Sequence, residues 1–183
     1  MLVPVTEEDG IVLDLRYATS DNVMGRPVYR RAVALLRPEA RERLLAAAAR
    51  ARALGLRLHL YDAFRPLEVQ RLFWEAARDK TYVADPRGGG THPRGVAVDL
   101  TLADGATGAE LPMGTGFDAF TPLSAHGALD GLAPEAVRNR ALLLGIMVAC
   151  GWEPYAPEWW HYHLPDHAGL PALPAAAVPG GPL

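Results

Sequence analysis

The stretch Thr91-His92-Pro93-Arg94-Gly95-Val96-Ala97-Val98-Asp99 places a turn directly before a strand. The proline and the glycine exclude a regular helix, so His92 is expected in the turn. Strand alternation then sends the two valines to one face and Ala97 and Asp99 to the other. A carboxylate within an apolar strand is costly unless a positive charge or a metal compensates it. Two interpretations follow: Asp99 pairs with an arginine while His92 lies on a surface turn, or both residues bind a metal.

The segments around this stretch predict a mixture of helices and strands. Helix signals, each with a proline at the start, cover residues 38–54, 66–79 and 134–150. The third of these is apolar almost all round, which predicts a central helix. Strand signals cover residues 56–61, 96–99 and 159–164. This order predicts the α+β class: a single domain with a mostly antiparallel sheet flanked by helices.

The chain length of 183 residues suggests one domain. We place this domain at residues 1–164. From Pro165 to Leu183 the sequence is rich in proline, glycine and alanine. This composition predicts an extended, partly mobile tail rather than a second domain.

Charge and composition exclude several classes of function. A net charge of −3 argues against a nucleic-acid binder with a broad basic face. The longest apolar run, 141–150, is too short to span a bilayer, and the first residues carry no secretory signal. Cys150 is the only cysteine, which excludes an intramolecular disulfide and a four-cysteine zinc site. We therefore expect a cytoplasmic protein with no nucleic-acid or membrane partner; the oligomeric state stays open.

The segment Glu158-Trp159-Trp160-His161-Tyr162-His163 favours the metal interpretation. Hydrolytic zinc sites use three protein ligands, an open fourth position, and a carboxylate that takes a proton without being a ligand. His92, Asp99 and His161 would be the ligands. Glu158 would be the base, provided that it lies in a turn before the strand. His163 shares a strand face with His161 and is the rival ligand, or a histidine that does not touch the metal.

A third polar cluster, Tyr61-Asp62-Ala63-Phe64-Arg65-Pro66, lies between a predicted strand and a predicted helix. The guanidinium of Arg65 is suited to bind a substrate carboxylate or an oxyanion that develops during hydrolysis. A plain salt bridge to Asp62 explains the same residue equally well.

Taken together, these motifs resemble those of the zinc D-alanyl-D-alanine dipeptidases, within a wider group of zinc D,D-carboxypeptidases and peptidoglycan hydrolases. The resemblance rests on the histidine and aspartate of 92–99 followed by Glu-Trp-Trp-His at 158–161. It extends to the segments at 14–22, 61–66 and 113–118, and runs from about residue 11 to residue 164. The resemblance implies one Zn²⁺ per chain, bound at the sheet in a cleft.

The resemblance also implies a role for each site residue. It makes His92, Asp99 and His161 the zinc ligands, Glu158 the general base and Arg65 the group that stabilises the transition state or binds the substrate carboxylate. It further implies that the substrate's free amine is held by Tyr17 and Asp118, and that Asp62 orients Arg65. One departure stands out: the family pattern begins Ser-x-His, whereas this chain has Gly90-Thr91-His92.

The function implied is hydrolysis of the dipeptide D-alanyl-D-alanine to free D-alanine, with a metal-activated water and a glutamate base. One alternative is a peptidoglycan D,D-carboxypeptidase or endolysin-type peptidase with the same zinc site. The other is a zinc-stabilised binding domain that does not catalyse a reaction.

Overall fold

A five-stranded sheet forms the centre of the fold in a computed structural model that describes residues 1–183. The strands are β1 (Val3–Val5), β2 (Val12–Leu13), β3 (Ala34–Leu36), β4 (Leu56–Asp62), β5 (Ala97–Asp104), β6 (Glu153–Pro154) and β7 (His161–His163). The helices are α1 (Pro38–Ala53), α2 (Leu67–Ala76) and α3 (Pro134–Val148).

The order of strands in the central sheet is β2-β4-β5-β7-β6. The pairs β4–β5, β5–β7 and β6–β7 are antiparallel, and only β2 runs parallel to its neighbour β4. Strands β1 and β3 form a separate antiparallel pair. The α+β class and the mostly antiparallel sheet are therefore confirmed.

Leucines of β4 and β5 make the centre of the core. Leu58, Leu60, Leu100 and Leu102 are fully buried. Each such side chain contributes about 1.5–3 kcal/mol relative to an exposed one. Helix α1 packs against β4 and adds Leu44 and a row of buried alanines to this core.

The prediction that residues 134–150 form the central helix is wrong. Helix α3 buries one face, which includes Leu143 and Met147. On the other face, Leu142 is 37% exposed and Val148 is 50% exposed. The helix is apolar on both sides, but only the buried face packs on the core. None of the helices is long and apolar enough to cross a membrane.

The segment 165–183 has one short 3₁₀ turn, Ala175–Ala177, and lies against the rest of the chain. The backbone N–H of Leu173 donates to the carbonyl of Pro93 at 2.8 Å, and the carbonyl of Leu173 accepts from the N–H of Leu67 at 3.1 Å. Leu173 thus joins the turn that carries His92 to the start of α2. The proposed domain boundary after Leu164 stays a prediction.

Candidate active site

Two antiparallel neighbours bring the first candidate ligands together. Asp99 on β5 lies directly opposite His161 on β7. Residues opposite each other in an antiparallel pair share a face of the sheet. His92 reaches the same place from a 3₁₀ turn, His92–Arg94, which ends at Gly95 with φ of +71°. The turn followed by a strand is the arrangement predicted for residues 91–99.

Four atoms of these three side chains converge. Nε2 of His92 lies 3.2 Å from Nδ1 of His161 and 3.2 Å from Oδ2 of Asp99. Nδ1 of His161 lies 3.0 Å from Oδ1 of Asp99. All three residues are buried. The structure therefore brings the three predicted ligands into one group.

The geometry and the chemistry of this group fit Zn²⁺. Ligand atoms about 2.0–2.1 Å from a tetrahedral Zn²⁺ lie about 3.3 Å apart, close to the separations found here. Two imidazoles and one carboxylate are also a typical donor set for a hydrolytic zinc site. The ring of His92 is already oriented, because its Nδ1–H donates to the carbonyl of Ala63 at 2.6 Å and leaves Nε2 with a lone pair.

Electrostatics within the group favour a metal-binding state. Burial opposes ionisation of Asp99, but His92 and a hydrogen bond from His161 outweigh it, and the pKa of this carboxyl falls well below its usual range. Burial lowers the pKa of His161 to about 4. Asp99 is therefore ionised and His161 neutral near pH 7, as metal ligands must be.

Glu158 lies beside the ligand group without belonging to it. Glu158 directly follows Pro157 in the turn region before β7, which is the position that its predicted role as a base requires. Oε2 of Glu158 is 4.0 Å from Nδ1 of His161. The carboxyl is buried, and its pKa is raised well above the usual range by desolvation and by the charges of Asp99 and Asp118. A raised pKa makes this carboxylate a better proton acceptor.

The structure confirms the salt bridge of Arg65 to Asp62, whereas binding of a substrate carboxylate or oxyanion by this guanidinium stays a prediction. Nε of Arg65 donates to Oδ2 of Asp62 at 2.9 Å, so the predicted salt bridge exists. Nη2 donates to Oδ2 of Asp99 at 3.2 Å, so the guanidinium also reaches the ligand group. Asp62 is itself held by the hydroxyl of Tyr29, which donates to Oδ1 at 2.8 Å. The chain Tyr29–Asp62–Arg65 fixes the guanidinium beside the ligands.

A β-bulge places Asp62 in this chain. Leu60 lies opposite Leu100, but Asp62 lies opposite Asp99, so the register shifts by one residue at Tyr61. Without the shift, Asp62 would face the core together with Leu60. The bulge turns its carboxylate to the face that carries Asp99.

Tyr17 and Asp118 come together as the resemblance implies. The hydroxyl of Tyr17 lies 3.0 Å and 3.1 Å from the two carboxylate oxygens of Asp118, and the backbone N–H of Val23 donates to Oδ2 at 3.2 Å. Asp118 has φ of +58°, a left-handed conformation that aspartate and asparagine tolerate better than most residues. Desolvation, with the charge of Asp99, raises the pKa of Asp118 to about 7.

One cavity reaches these groups, except Asp62 and Tyr29, which lie behind Arg65. Its volume is about 800 Å³, and it is lined by residues of every cluster described above. They include Tyr17, Arg65, His92, Asp99, Asp118, Glu158 and His161. Gly90, where the resembling family has serine, also lines the cavity and has φ of +64°.

The structure separates His163 from the ligand group. Its Nε2 lies 3.7 Å from Oε2 of Glu153, and it is not among the atoms that converge. The sequence analysis missed Tyr29 and Gln70, whose Oε1 accepts from Nη1 of Arg65 at 3.3 Å. No local pattern marks Tyr29, because its partner Asp62 lies 33 residues further along the chain.

A second group of potential metal ligands, Asp14, His59 and Glu110, lies elsewhere on the sheet. Arg16 donates to Asp14 at 2.7 Å and to Glu110 at 3.2 Å. Because this guanidinium already donates hydrogen bonds to both carboxylates, we interpret the group as a surface ion network.

Comparisons with known proteins identify relatives of this chain. A family model described as D-ala-D-ala dipeptidase matches residues 5–177. The D-alanyl-D-alanine dipeptidase of Escherichia coli (strain K12) is 41% identical over 161 residues, which cover 88% of this chain and 82% of that protein. The D-alanyl-D-alanine dipeptidase of Streptomyces coelicolor is 38% identical over 182 residues, covering 86% of this chain and 87% of that protein.

Among solved structures, a vancomycin resistance D,D-pentapeptidase in complex with Zn(II) matches at 18% identity with a TM-score of 0.45, over 72% of this chain and 73% of that one. The family model spans nearly the whole chain, and the two dipeptidases match along most of their own length. The resemblance stated from the motifs is thereby confirmed: the chain belongs to the D-alanyl-D-alanine dipeptidase family of zinc metallopeptidases.

Proposed function

We propose that this chain hydrolyses the dipeptide D-alanyl-D-alanine to free D-alanine, with one Zn²⁺ held by His92, Asp99 and His161. The observation that carries the proposal is a single cavity with the three candidate ligands, a non-ligand carboxylate and a separate carboxylate suited to an amine. The names of the two similar dipeptidases support the choice of substrate.

Glu158 is the proposed general base and acid. When bound, Zn²⁺ supplies Lewis acidity that polarises the substrate carbonyl and lowers the pKa of water. The carboxylate of Glu158 accepts the proton of the attacking water at one of its oxygens. It holds that proton, because burial raises the pKa of the carboxyl, and then donates it to the nitrogen of the leaving amine.

Arg65 is the proposed stabiliser of the developing oxyanion. Its guanidinium is held by Asp62 on one side and faces Asp99 on the other. A donor fixed before the reaction loses little free energy to reorganisation when negative charge develops. Asp62 and Tyr29 therefore act as positioning residues for Arg65.

Asp118 is the proposed binding group for the free amine of the dipeptide, with the hydroxyl of Tyr17 orienting its carboxylate. A substrate with a blocked or extended N-terminus would leave this carboxylate without a cation. This requirement favours a dipeptidase over a D,D-carboxypeptidase acting on longer peptides. The presence of Glu158 and Arg65 beside the ligand group argues against a binding domain without activity.

The test is release of free alanine from D-alanyl-D-alanine by the zinc-loaded protein, with N-acetyl-D-alanyl-D-alanine as the matched substrate. We expect efficient cleavage of the free dipeptide, no more than residual cleavage of the blocked one, and loss of both activities with a chelator. Comparable cleavage of both substrates would favour the carboxypeptidase alternative. Zinc binding without cleavage of either substrate would favour the binding domain.

The partner implied by this proposal is a small dipeptide, with no need for nucleic acid or a membrane. A free dipeptide substrate is consistent with the cytoplasmic location expected from the sequence, which stays a prediction.

A further inference from the structure

The second ring nitrogen of His161 has one polar neighbour. Nδ1 of His161 faces Asp99 and His92, but Nε2 lies 3.3 Å from Oγ1 of Thr91. No other hydrogen bond involves Nε2 of His161 or the hydroxyl of Thr91. Thr91 is half-buried, lines the cavity and directly precedes His92 in the chain. The mechanism above gives this hydroxyl no role.

The chemistry of imidazole makes the neighbour of Nε2 important. A neutral ring carries one N–H and one lone pair. To bind a metal through Nδ1, His161 must carry its proton on Nε2, where it needs an acceptor. Without a metal, Nδ1–H can donate to Asp99 instead, and Nε2 then needs a donor. A hydroxyl rotates to serve in either role, as acceptor or as donor.

We propose that Thr91 is a positioning residue for the metal site: its hydroxyl accepts the Nε2–H of His161 and so directs the Nδ1 lone pair to the metal. The inference rests on the proposed assignment of His161 as a ligand. Thr91 is therefore a residue of the site even though it touches neither the metal nor the scissile bond.

The two histidines are supported in different ways. The Nδ1–H of His92 donates to a backbone carbonyl, that of Ala63, which can only accept. Its proton position is thus the same with and without metal. His161 has a partner that can switch, so the proton can move between its ring nitrogens when the metal binds, without leaving a polar atom of this buried ring unpaired.

The experiment compares Thr91→Val with Thr91→Ser in the full chain. Valine has nearly the shape of threonine but no hydroxyl, whereas serine keeps the hydroxyl. Thr121→Val is the control for the exchange itself, because Thr121 is exposed and its side chain caps no backbone group. Zinc affinity is measured by competition with a chelator, and folding by circular dichroism. The proton of His161 is located from ¹⁵N chemical shifts of the ring in the zinc-loaded protein.

We expect Thr91→Val to weaken zinc binding by about 10- to 100-fold, the usual effect of removing a partner that supports a ligand. Thr91→Ser and Thr121→Val should bind zinc like the unmodified protein. The Nε2–H signal of His161 should exchange with water faster in Thr91→Val than in Thr91→Ser.

Unchanged zinc affinity in a folded Thr91→Val protein would overturn the inference. Equal losses in the valine and serine variants would overturn it too, since packing rather than the hydroxyl would then be responsible. Failure of the proposed metal site itself looks different: the unmodified protein would bind no zinc, or would bind it equally well after His161→Ala.

Discussion

The exchange Asp118→Asn tests how the proposed site recognises a free dipeptide. Asparagine is chosen over alanine because residue 118 has φ of +58°, which asparagine tolerates and alanine does not. The variant keeps the backbone and an oxygen that can accept from Tyr17 or Val23. It removes only the negative charge that would pair with the ammonium group of the substrate.

The expected magnitude follows from the surroundings of Asp118. Removing one partner of a desolvated, hydrogen-bonded charge pair costs about 2–5 kcal/mol. Asp118 is half-buried in the free protein, so we expect the lower part of this range. A loss of about 2–3 kcal/mol corresponds to a decrease of about 30- to 150-fold in kcat/KM.

The assay measures kcat/KM for D-alanyl-D-alanine and for its N-acetyl derivative with the same zinc-loaded preparations. The large decrease in kcat/KM should be confined to the free dipeptide, because the blocked derivative has no ammonium group that could pair with Asp118. Asp130→Asn, at an exposed aspartate, is the matched control and should change neither value. An equal decrease for both substrates would refute the role of Asp118 as the amine-binding group.

Three further predictions concern the same site. Because the pKa of Asp118 is raised to about 7, its carboxylate becomes protonated as the pH falls below 7, and kcat/KM should fall by up to tenfold per pH unit there. The pKa of the base Glu158 is raised as well, so Asp118→Asn should make this acidic limb of the pH profile less steep without abolishing it. A profile identical in both proteins would contradict the assignment of Asp118. Glu158→Gln should retain zinc but lower kcat by about 10²- to 10⁴-fold, and near-normal turnover would remove Glu158 as the base. Tyr29→Phe removes a hydrogen bond to Asp62, so Asp62 should hold Arg65 less firmly. We therefore expect a lower kcat with little change in KM. An unaltered kcat in steady-state assays would count against the role of Tyr29 and Asp62 in positioning Arg65.

The ligand group could be predicted from the sequence because each of its residues lies in a short motif. The turn residues around His92 and the alternation up to Asp99 are short-range features. Glu158 and His161 are likewise close in sequence, with Pro157 to mark the turn. The first segment supplies two ligands of the predicted metal site and the second supplies one, so two short segments are enough to predict all three ligands.

The positioning of Arg65 could not be predicted in the same way. The alternation of Leu58 and Leu60 continues to Asp62 in the sequence, and nothing in it shows the bulge that reverses the direction of Asp62. The hydrogen bond from Tyr29 depends on the tertiary fold alone.

Helix α3 shows a different limit of sequence patterns. Its apolar residues on all sides predict burial on all sides, but the chain supplies no layer to cover Leu142 and Val148. The hydrophobic pattern of a sequence indicates which residues can be buried, whereas the packing of the fold decides which of these residues are in fact buried.

The backbone of Leu173 connects the segment after residue 164 both to the turn that carries His92 and to the start of α2. Asp166, Ala168 and Gly169, between the last strand and this contact, are exposed. A protease that cut the chain there would remove none of the proposed active-site residues, but only non-covalent contacts would then hold Leu173 between the His92 turn and the start of α2. Resistance of the active site to proteolysis would therefore depend on how tightly this C-terminal segment binds the rest of the chain, and not on the catalytic motifs themselves.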